Sequence, residues 1–191
     1  FNPVSGNDLL FDFNTGTHKI LPNASLQNAS RPGGGVYTAY DSVQKSTLMF
    51  QGFARADAYI PITRHHVLNV FSQSATMYHE RLLYNEQYQL GGLKTFRGVN
   101  ELSIRATTYT MLRAEYRYML AQSGYLALFG NAIWYESKLV NGYASKTLLG
   151  AGGGLGLQTK GGILSVMYAI ANQNEFTLQN GKVHIGFTAV F

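Results

Sequence analysis

The last ten residues of the chain, KVHIGFTAVF (182–191), alternate between two kinds of side chain. One set of alternate residues is apolar throughout and comprises Val183, Ile185, Phe187, Ala189 and Phe191. The other set is mostly charged, polar or small and begins with Lys182 and His184. Because successive side chains of an extended chain point to opposite faces, a period of two with one apolar face predicts a β-strand.

The same period recurs along most of the chain. It is regular in residues 48–60, 109–120, 147–159 and 162–172, and less regular in 8–14, 34–43, 66–78 and 125–135. In 109–120 the apolar residues alternate with Arg113, Glu115 and Arg117. Turn-forming sequences separate the segments, namely RPGGG at 31, TKGG at 159 and QNGK at 179. The pattern predicts about eight or nine antiparallel strands of roughly 9 to 11 residues, the length that crosses a bilayer.

The composition favours a membrane β-barrel. The 191 residues are 46% hydrophobic but only 13% charged, whereas soluble domains carry about a quarter charged residues. No apolar run approaches the roughly 18 residues of a membrane helix. The soluble alternative is an all-β sandwich, but a sandwich turns more Lys and Glu toward solvent than these strands carry. We therefore predict an all-β, antiparallel transmembrane barrel with a polar lumen, in which residues 1–191 form a single domain.

Several other classes of protein are not indicated. The chain has no cysteine, and its net charge of +5 is scattered rather than clustered as in a nucleic-acid interface. The segment GAGGGLG (150–156) has neither the spacing nor the following helix of a nucleotide-binding loop. His65 and His66 point to opposite faces of a strand, so we predict no metal site. We predict neither an enzyme nor a cofactor, and the start at Phe1 without an initiator Met suggests a mature or excised segment.

One connection is far longer than a turn. The alternation lapses between about residues 79 and 105, and this segment contains LGGLKTFRGV (90–99), in which Arg97 stands between Phe96 and Gly98. Long loops within compact domains are usually functional. Arg97 is therefore either a solvated surface charge or a residue that fixes the loop against an acidic group.

A column of glycines bears on where this loop lies. Gly150, Gly152, Gly154 and Gly156 leave one face of their strand almost without side chains, so another segment can approach it closely. An eight-stranded barrel is just filled by its own side chains, and the loop would have to project from it. We favour a wider barrel into which the loop folds. Since open sheet edges leave backbone groups unpaired in lipid, further strands or a second copy must complete the wall.

The order of these motifs resembles a known family. The segments NEQYQLGG, FRGV, RAEYRY, LALFGNA, GAGGGLGLQTKGGILSVMYA and KVHIGFTAVF follow one another as in the C-terminal half of the outer-membrane protein assembly factor superfamily. That superfamily includes BamA-type and TamA-type assembly factors and FhaC-type secretion transporters, which are 16-stranded barrels. The resemblance runs from about Tyr84 to Phe191. It implies that this chain supplies the C-terminal half of such a barrel, with an inward-folded loop.

The resemblance also implies a role for the loop tip. Phe96, Arg97 and Gly98 match a tip that folds into the lumen, where the arginine contacts an acidic residue of the wall. Phe129 and Asn131 match a Phe-x-Asp strand of the family, but Asn131 stands where the acidic residue is usual.

Glu115 is the expected replacement for that acidic partner, because it lies on the polar face of the strand that follows the loop. Its position between Arg113 and Arg117 also suits an ion-pair ladder along the lumen. At the end of the chain, the assembly signal of such barrels is matched by His184, Gly186, Ala189 and Phe191.

The function implied by the resemblance is insertion or translocation of client polypeptides across the bacterial outer membrane, through a lateral seam or the lumen. The expected partners are outer-membrane lipids, unfolded client β-barrels or secreted polypeptides, accessory assembly subunits, and the remaining barrel strands or a second copy. Strand pairing at the seam would drive the process without ATP, and Gly186 is expected to weaken packing there. The alternative is a passive pore or a structural membrane anchor, such as the surface-antigen barrel of an enzyme-fused protein.

Overall fold

The computed structural model describes residues 3–18, 47–79, 82–120, 124–139, 142–173 and 176–189. The strands there are β1 (Gly6–His18), β2 (Thr47–Pro61), β3 (His66–Tyr78), β4 (Tyr88–Leu90), β5 (Ile104–Ala106), β6 (Thr108–Leu120), β7 (Gly124–Leu139), β8 (Gly142–Thr159), β9 (Gly162–Ala171) and β10 (Lys182–Ala189). Short 3-10 helices cover Tyr84–Glu86 and Leu178–Asn180. Within these residues, no helix has the length and apolar character needed to cross a membrane.

Eight of the strands form one antiparallel sheet, in the order β1-β2-β3-β6-β7-β8-β9-β10. Each neighbour in the sheet is also the next strand along the chain, except that β3 pairs with β6. The segment between them, residues 79–107, is called the excursion below. It contains β4 and β5, which pair only with each other. The all-β, antiparallel prediction is confirmed, and the predicted strand 34–43 lies outside the described residues.

Three strands are markedly longer than the alternation predicts, and β1 has 13 residues against a predicted segment of 8–14. β7 has 16 residues and β8 has 18, against predicted segments of 125–135 and 147–159. The additional residues of β8 begin with GYASK (142–146), which has no apolar face and therefore no visible period. Backbone pairing with β7 continues as far as Leu139 and Gly142, so the ladder extends both strands beyond the segment that the side chains mark.

The register of the sheet creates one continuous apolar face. A row of paired residues crosses seven strands in the order Ile60, Leu68, Tyr116, Leu128, Gly153, Tyr168 and Val183. This row belongs to the outer face, on which large apolar side chains are exposed from β1 to β10, including Phe11 at 76%, Leu128 at 66% and Ile185 at 69%. Exposed apolar surface of this extent marks an interaction with a membrane or another protein.

The adjacent row points the opposite way, onto the inner face. It runs through Tyr59, Asn69, Glu115, Phe129, Gly152, Ala169 and Lys182. Part of this face is covered by the excursion, from which Phe96 and Val99 pack against Met111, Ile133 and Leu148 of the sheet. The inner face therefore holds two buried apolar clusters together with its polar residues, rather than being polar throughout as the alternation suggested.

Within the described residues, the sheet is open at both edges. β1 and β10 each have a neighbouring strand on one side only. The described side chains of β1 are exposed on both faces of the sheet. An unpaired edge presents free N–H and C=O groups, with which a further strand can pair.

Candidate functional site: the excursion tip on the inner face

The excursion narrows to a compact tip at residues 91–98. The N–H of Gly91 donates to Thr95 Oγ1 at 2.8 Å, and the N–H of Gly92 donates to the Phe96 carbonyl at 3.0 Å. Both glycines have positive φ angles, of 116° and 94°, a region that other residues adopt only with strain. These bonds fold the tip back on itself and direct Phe96 into the core, where the Phe96 side chain is completely buried.

The base of the excursion is held against the sheet by aromatic rings. Tyr88 of β4 packs edge-on against Tyr109 of β6, with ring centroids 5.6 Å apart. Burial raises the pKa of the Tyr88 phenol above its ordinary value. Tyr109 in turn accepts a hydrogen bond from Gln73 Nε2 at 2.5 Å.

Arg97 forms an ion pair at the centre of the site. Arg97 Nη1 lies 2.5 Å from Glu115 Oε2, and Arg117 Nε lies 2.6 Å from Glu115 Oε1. The two arginine side chains are 7% and 8% exposed, and the Glu115 side chain is fully buried. Glu115 therefore takes both roles that the sequence suggested, as partner of the tip and as a member of a ladder along β6. Buried charges require such pairing, because desolvation opposes their burial.

Aromatic rings stack on the guanidinium groups of this cluster. The Cζ atoms of Arg97, Arg113 and Arg117 each lie 4.5 Å from a ring centroid. The rings belong respectively to Phe129, Phe71 and Tyr125. A guanidinium over an aromatic face is attracted electrostatically, and more so when it is desolvated. The rings therefore help to retain three arginines around a single carboxylate.

The backbone of the tip is bound by Asn131. Asn131 Nδ2 donates to the Arg97 carbonyl at 3.1 Å. An ionised aspartate at this position could only accept hydrogen bonds, and would repel that carbonyl. The asparagine therefore suits a tip whose charge is neutralised elsewhere, by Glu115.

Two glycines allow the tip to approach the wall. A Cβ atom on Gly150 would lie 2.9 Å from the Arg97 carbonyl oxygen and 2.6 Å from Asn131 Oδ1. A Cβ atom on Gly98, which has a φ of 101°, would lie 2.8 Å from the backbone of Ile170 in β9. The tip therefore rests directly on the backbone of β8 and β9.

The other glycines of the column in β8 serve a different purpose. A Cβ atom on Gly152 would lie 2.8 Å from the ring of Phe129, and one on Gly156 would lie 2.5 Å from the ring of Tyr125. Gly152 and Gly156 thus make room for rings of β7, in cross-strand pairs with Phe129 and Tyr125. A Cβ atom on Gly152 or Gly154 would also lie 2.2 Å from a backbone carbonyl oxygen of β9. The predicted close approach of the excursion occurs at Gly150 alone among these four positions.

The tip also reaches the last strand. The N–H of Gly98 donates to His184 Nε2 at 3.1 Å. Leu93 occupies the space where a side chain on Gly186 would lie, with Leu93 Cδ2 2.3 Å from the position of a Cβ atom. Of the residues assigned to the C-terminal signal, His184 and Gly186 therefore contact the tip. Ala189 ends β10 and is exposed, and Phe191 lies outside the described residues.

The site thus unites most of the residues that the sequence singled out. Phe96, Arg97 and Gly98 lie against residues of five consecutive strands, from β6 to β10, namely Glu115, Phe129, Asn131, Gly150, Ile170 and His184. Leu93 and Ile170 were not expected to take part. An apolar residue in a loop or strand gives no signal of such a contact in one sequence.

No protein-family model matches the chain, and no match is found among curated proteins or solved structures. Within the described ranges, no group of three or more potential metal-ligating side chains lies together. The geometry of the site is that of a buried set of contacts between the excursion and the sheet.

Proposed function

We propose that this chain forms part of the wall of a bacterial outer-membrane β-barrel that inserts or translocates client polypeptides. The observation that supports this proposal most is the pairing of two faces. An apolar face is exposed across all eight strands, and the opposite face holds a buried, arginine-tipped excursion. A soluble sheet of this size would cover its apolar face, whereas a barrel wall turns it toward lipid.

The dimensions of the outer face suit a bilayer. Its apolar residues on β7 extend from Leu126 to Trp134, which is roughly 26 Å of strand, or about 20 Å of depth at the usual tilt of about 40°. Exposed aromatic residues lie toward its two ends. Tyr118 is near the short β2–β3 turn, and Trp134 and Tyr143 are near the opposite end. Aromatic girdles of this kind flank the apolar band of outer-membrane barrels.

The open edges of the sheet suit both parts of the proposal, namely a place in a wider barrel and the binding of client polypeptides. The remaining strands of a wider barrel, or a second copy, would pair with β1 and β10. At the seam of the closed barrel, unpaired backbone groups would bind the β-strand of a client. Outer-membrane lipids, client polypeptides and accessory subunits are the partners that this arrangement calls for. The brace formed by Arg97 would hold the excursion inside the barrel while the seam opens.

The test is a comparison of two variants in the same excursion. Arg97→Ala removes the ion pair with Glu115, whereas Arg105→Ala removes an arginine that stacks on Tyr84 outside the cluster. Each variant replaces the native protein in its own host, and the assembly of resident outer-membrane porins is followed by their heat-dependent mobility. We expect Arg97→Ala to slow porin assembly at normal protein levels and Arg105→Ala to leave it unchanged. Normal assembly in a strain depleted of the protein would favour the passive pore or anchor instead.

A further inference from the structure

The last strand, β10, is held in the sheet by few contacts of its own. With eight residues it is the shortest strand of the eight-stranded sheet, and it pairs on one side only, with β9. Its outward residues Val183, Ile185 and Phe187 are exposed. His184 is its single buried residue within the described part of the chain. The contacts of His184 therefore have a large share in fixing β10.

The contacts on the inner side of β10 come from the excursion tip. His184 Nε2 accepts the hydrogen bond from the Gly98 N–H, and this bond is buried. Two residues further along β10, Leu93 packs directly over Gly186. The tip itself is fixed to β6 through Arg97 and Glu115. A chain of contacts thus runs from the middle of the sheet to its edge without passing through β9.

The opposite edge strand provides an internal contrast. β1 is longer than β10 and pairs with β2 over 13 residues. Its described side chains are exposed on both faces, and no hydrogen bond or ion pair joins them to the excursion among the described contacts. The two edges of one sheet therefore differ in whether the excursion touches them.

We infer that Leu93 and Gly98 form a latch on β10, which stabilises the pairing of this strand with β9 as long as the excursion is docked. Release of the tip removes the hydrogen bond that His184 accepts from the Gly98 N–H, together with the packing of Leu93 over Gly186. β10 then separates more readily from β9. The inference rests on the proposed function only for its consequence, namely that the docked tip would restrain one side of the seam.

Amide hydrogen exchange tests the latch without any client. The protein is folded in detergent micelles, and exchange is followed at amides of β10 and β1 in three variants. Leu93→Ala removes the packing over Gly186, His184→Phe removes the acceptor for the Gly98 N–H, and His184→Gln retains an acceptor. We expect His184→Phe to speed exchange in β10 by roughly fivefold, the effect of one lost buried hydrogen bond, and Leu93→Ala to speed it by a similar factor through lost packing. His184→Gln is expected to remain closer to the native rate.

The controls separate a latch from general loosening. Thr188→Ala changes an exposed inner-facing residue of the same strand and is expected to leave exchange in β10 unchanged. Exchange in β1 is expected to be native in every variant. Native exchange of β10 in both Leu93→Ala and His184→Phe would overturn the latch, as would equal acceleration of β1 and β10. If Leu93→Ala does not fold, the test rests on the two His184 variants. Equal exchange of the β10 amides in His184→Phe and His184→Gln would then overturn the latch. Since no client is present, either result leaves the proposed function to its own test.

Discussion

At the scale of single residues, the chemistry of the tip depends on one carboxylate. Glu115 receives hydrogen bonds from Arg97 and Arg117 through its two oxygens. The sequence indicated this partner for two reasons. Alternation placed Glu115 on the inner face, and Asn131, the other candidate position, carries no charge. It could not indicate that His184 accepts a hydrogen bond from Gly98, because those residues are 86 positions apart and a histidine on a strand has many possible partners.

Glu115→Gln is expected to destabilise the protein strongly. The substitution keeps the size of the side chain but leaves two buried arginines without a carboxylate, which costs about 3 to 5 kcal/mol for a buried pair. The free energy of unfolding in urea, measured in lipid vesicles, gives the value. Glu101→Gln, a change in the excursion outside the ion-pair cluster, is expected to have an effect below about 0.5 kcal/mol. A loss below about 1 kcal/mol in Glu115→Gln would mean that the pair contributes little.

Gly150→Ala is expected to weaken the docking of the tip. The new methyl group meets the Arg97 carbonyl oxygen, the Ile170 carbonyl oxygen and Asn131 Oδ1 within 3.1 Å, and the backbone atoms cannot move aside as a flexible side chain does. Overpacking of this kind destabilises by about 1 to 3 kcal/mol. Gly130→Ala is the matched control, because a Cβ atom there has no neighbour within 4 Å. Equal unfolding free energies of the two variants would contradict the close contact.

At the scale of elements, alternation predicted the strands but not the internal order of the excursion. β4 and β5 have three residues each, too few for a period of two to be recognised. The pairing of Leu90 with Ile104 closes the excursion at its base, and Phe96 and Val99 are buried beyond it. The segment in which the alternation lapses therefore contains a short hairpin of its own and docks through an apolar core.

Phe96→Ala is expected to release the excursion from the inner face. Removal of a completely buried phenylalanine costs about 3 to 5 kcal/mol, and most of that loss falls on docking because Phe96 belongs to the excursion. Limited proteolysis of the folded protein should then cut within residues 79–107 at least about tenfold faster. Leu83→Ala, at an exposed position of the same segment, should leave the rate unchanged. Resistance of Phe96→Ala to cleavage would show that the excursion is held by other contacts.

At the scale of the whole molecule, the register decides the nature of the surface. Each strand alone shows apolar residues at alternate positions, but only the pairing shows that one apolar row crosses seven strands from β2 to β10. The sequence predicted this arrangement because a shift of one residue would have placed apolar and charged side chains on the same face. It could not predict what pairs with the edges β1 and β10, since the alternation within a strand carries no information on its neighbours.

Leu128→Arg distinguishes a membrane wall from a soluble sheet. Leu128 is exposed on the outer face of β7, within the apolar band that extends from Leu126 to Trp134. If that face contacts hydrocarbon, an arginine there destabilises by more than about 1 kcal/mol, since the cost of about 2 to 4 kcal/mol at the midplane decreases toward the interface, whereas in water the change is within about 0.5 kcal/mol. Unfolding in lipid vesicles is the measurement. Leu178→Arg serves as control, because this residue is 73% exposed in the 3-10 helix between β9 and β10. A neutral effect of Leu128→Arg would count against the bilayer.

The position of the excursion in the chain has a consequence for the order of folding. It is synthesised before β6 to β10, yet its tip rests on all five of these strands. Contacts between segments so distant in sequence form late, because the intervening chain must first be organised. The tip therefore finds its full set of partners only when the final strand has joined the sheet. A molecule arrested before that step displays a loose, glycine-rich segment to proteases, so degradation would select against incomplete copies.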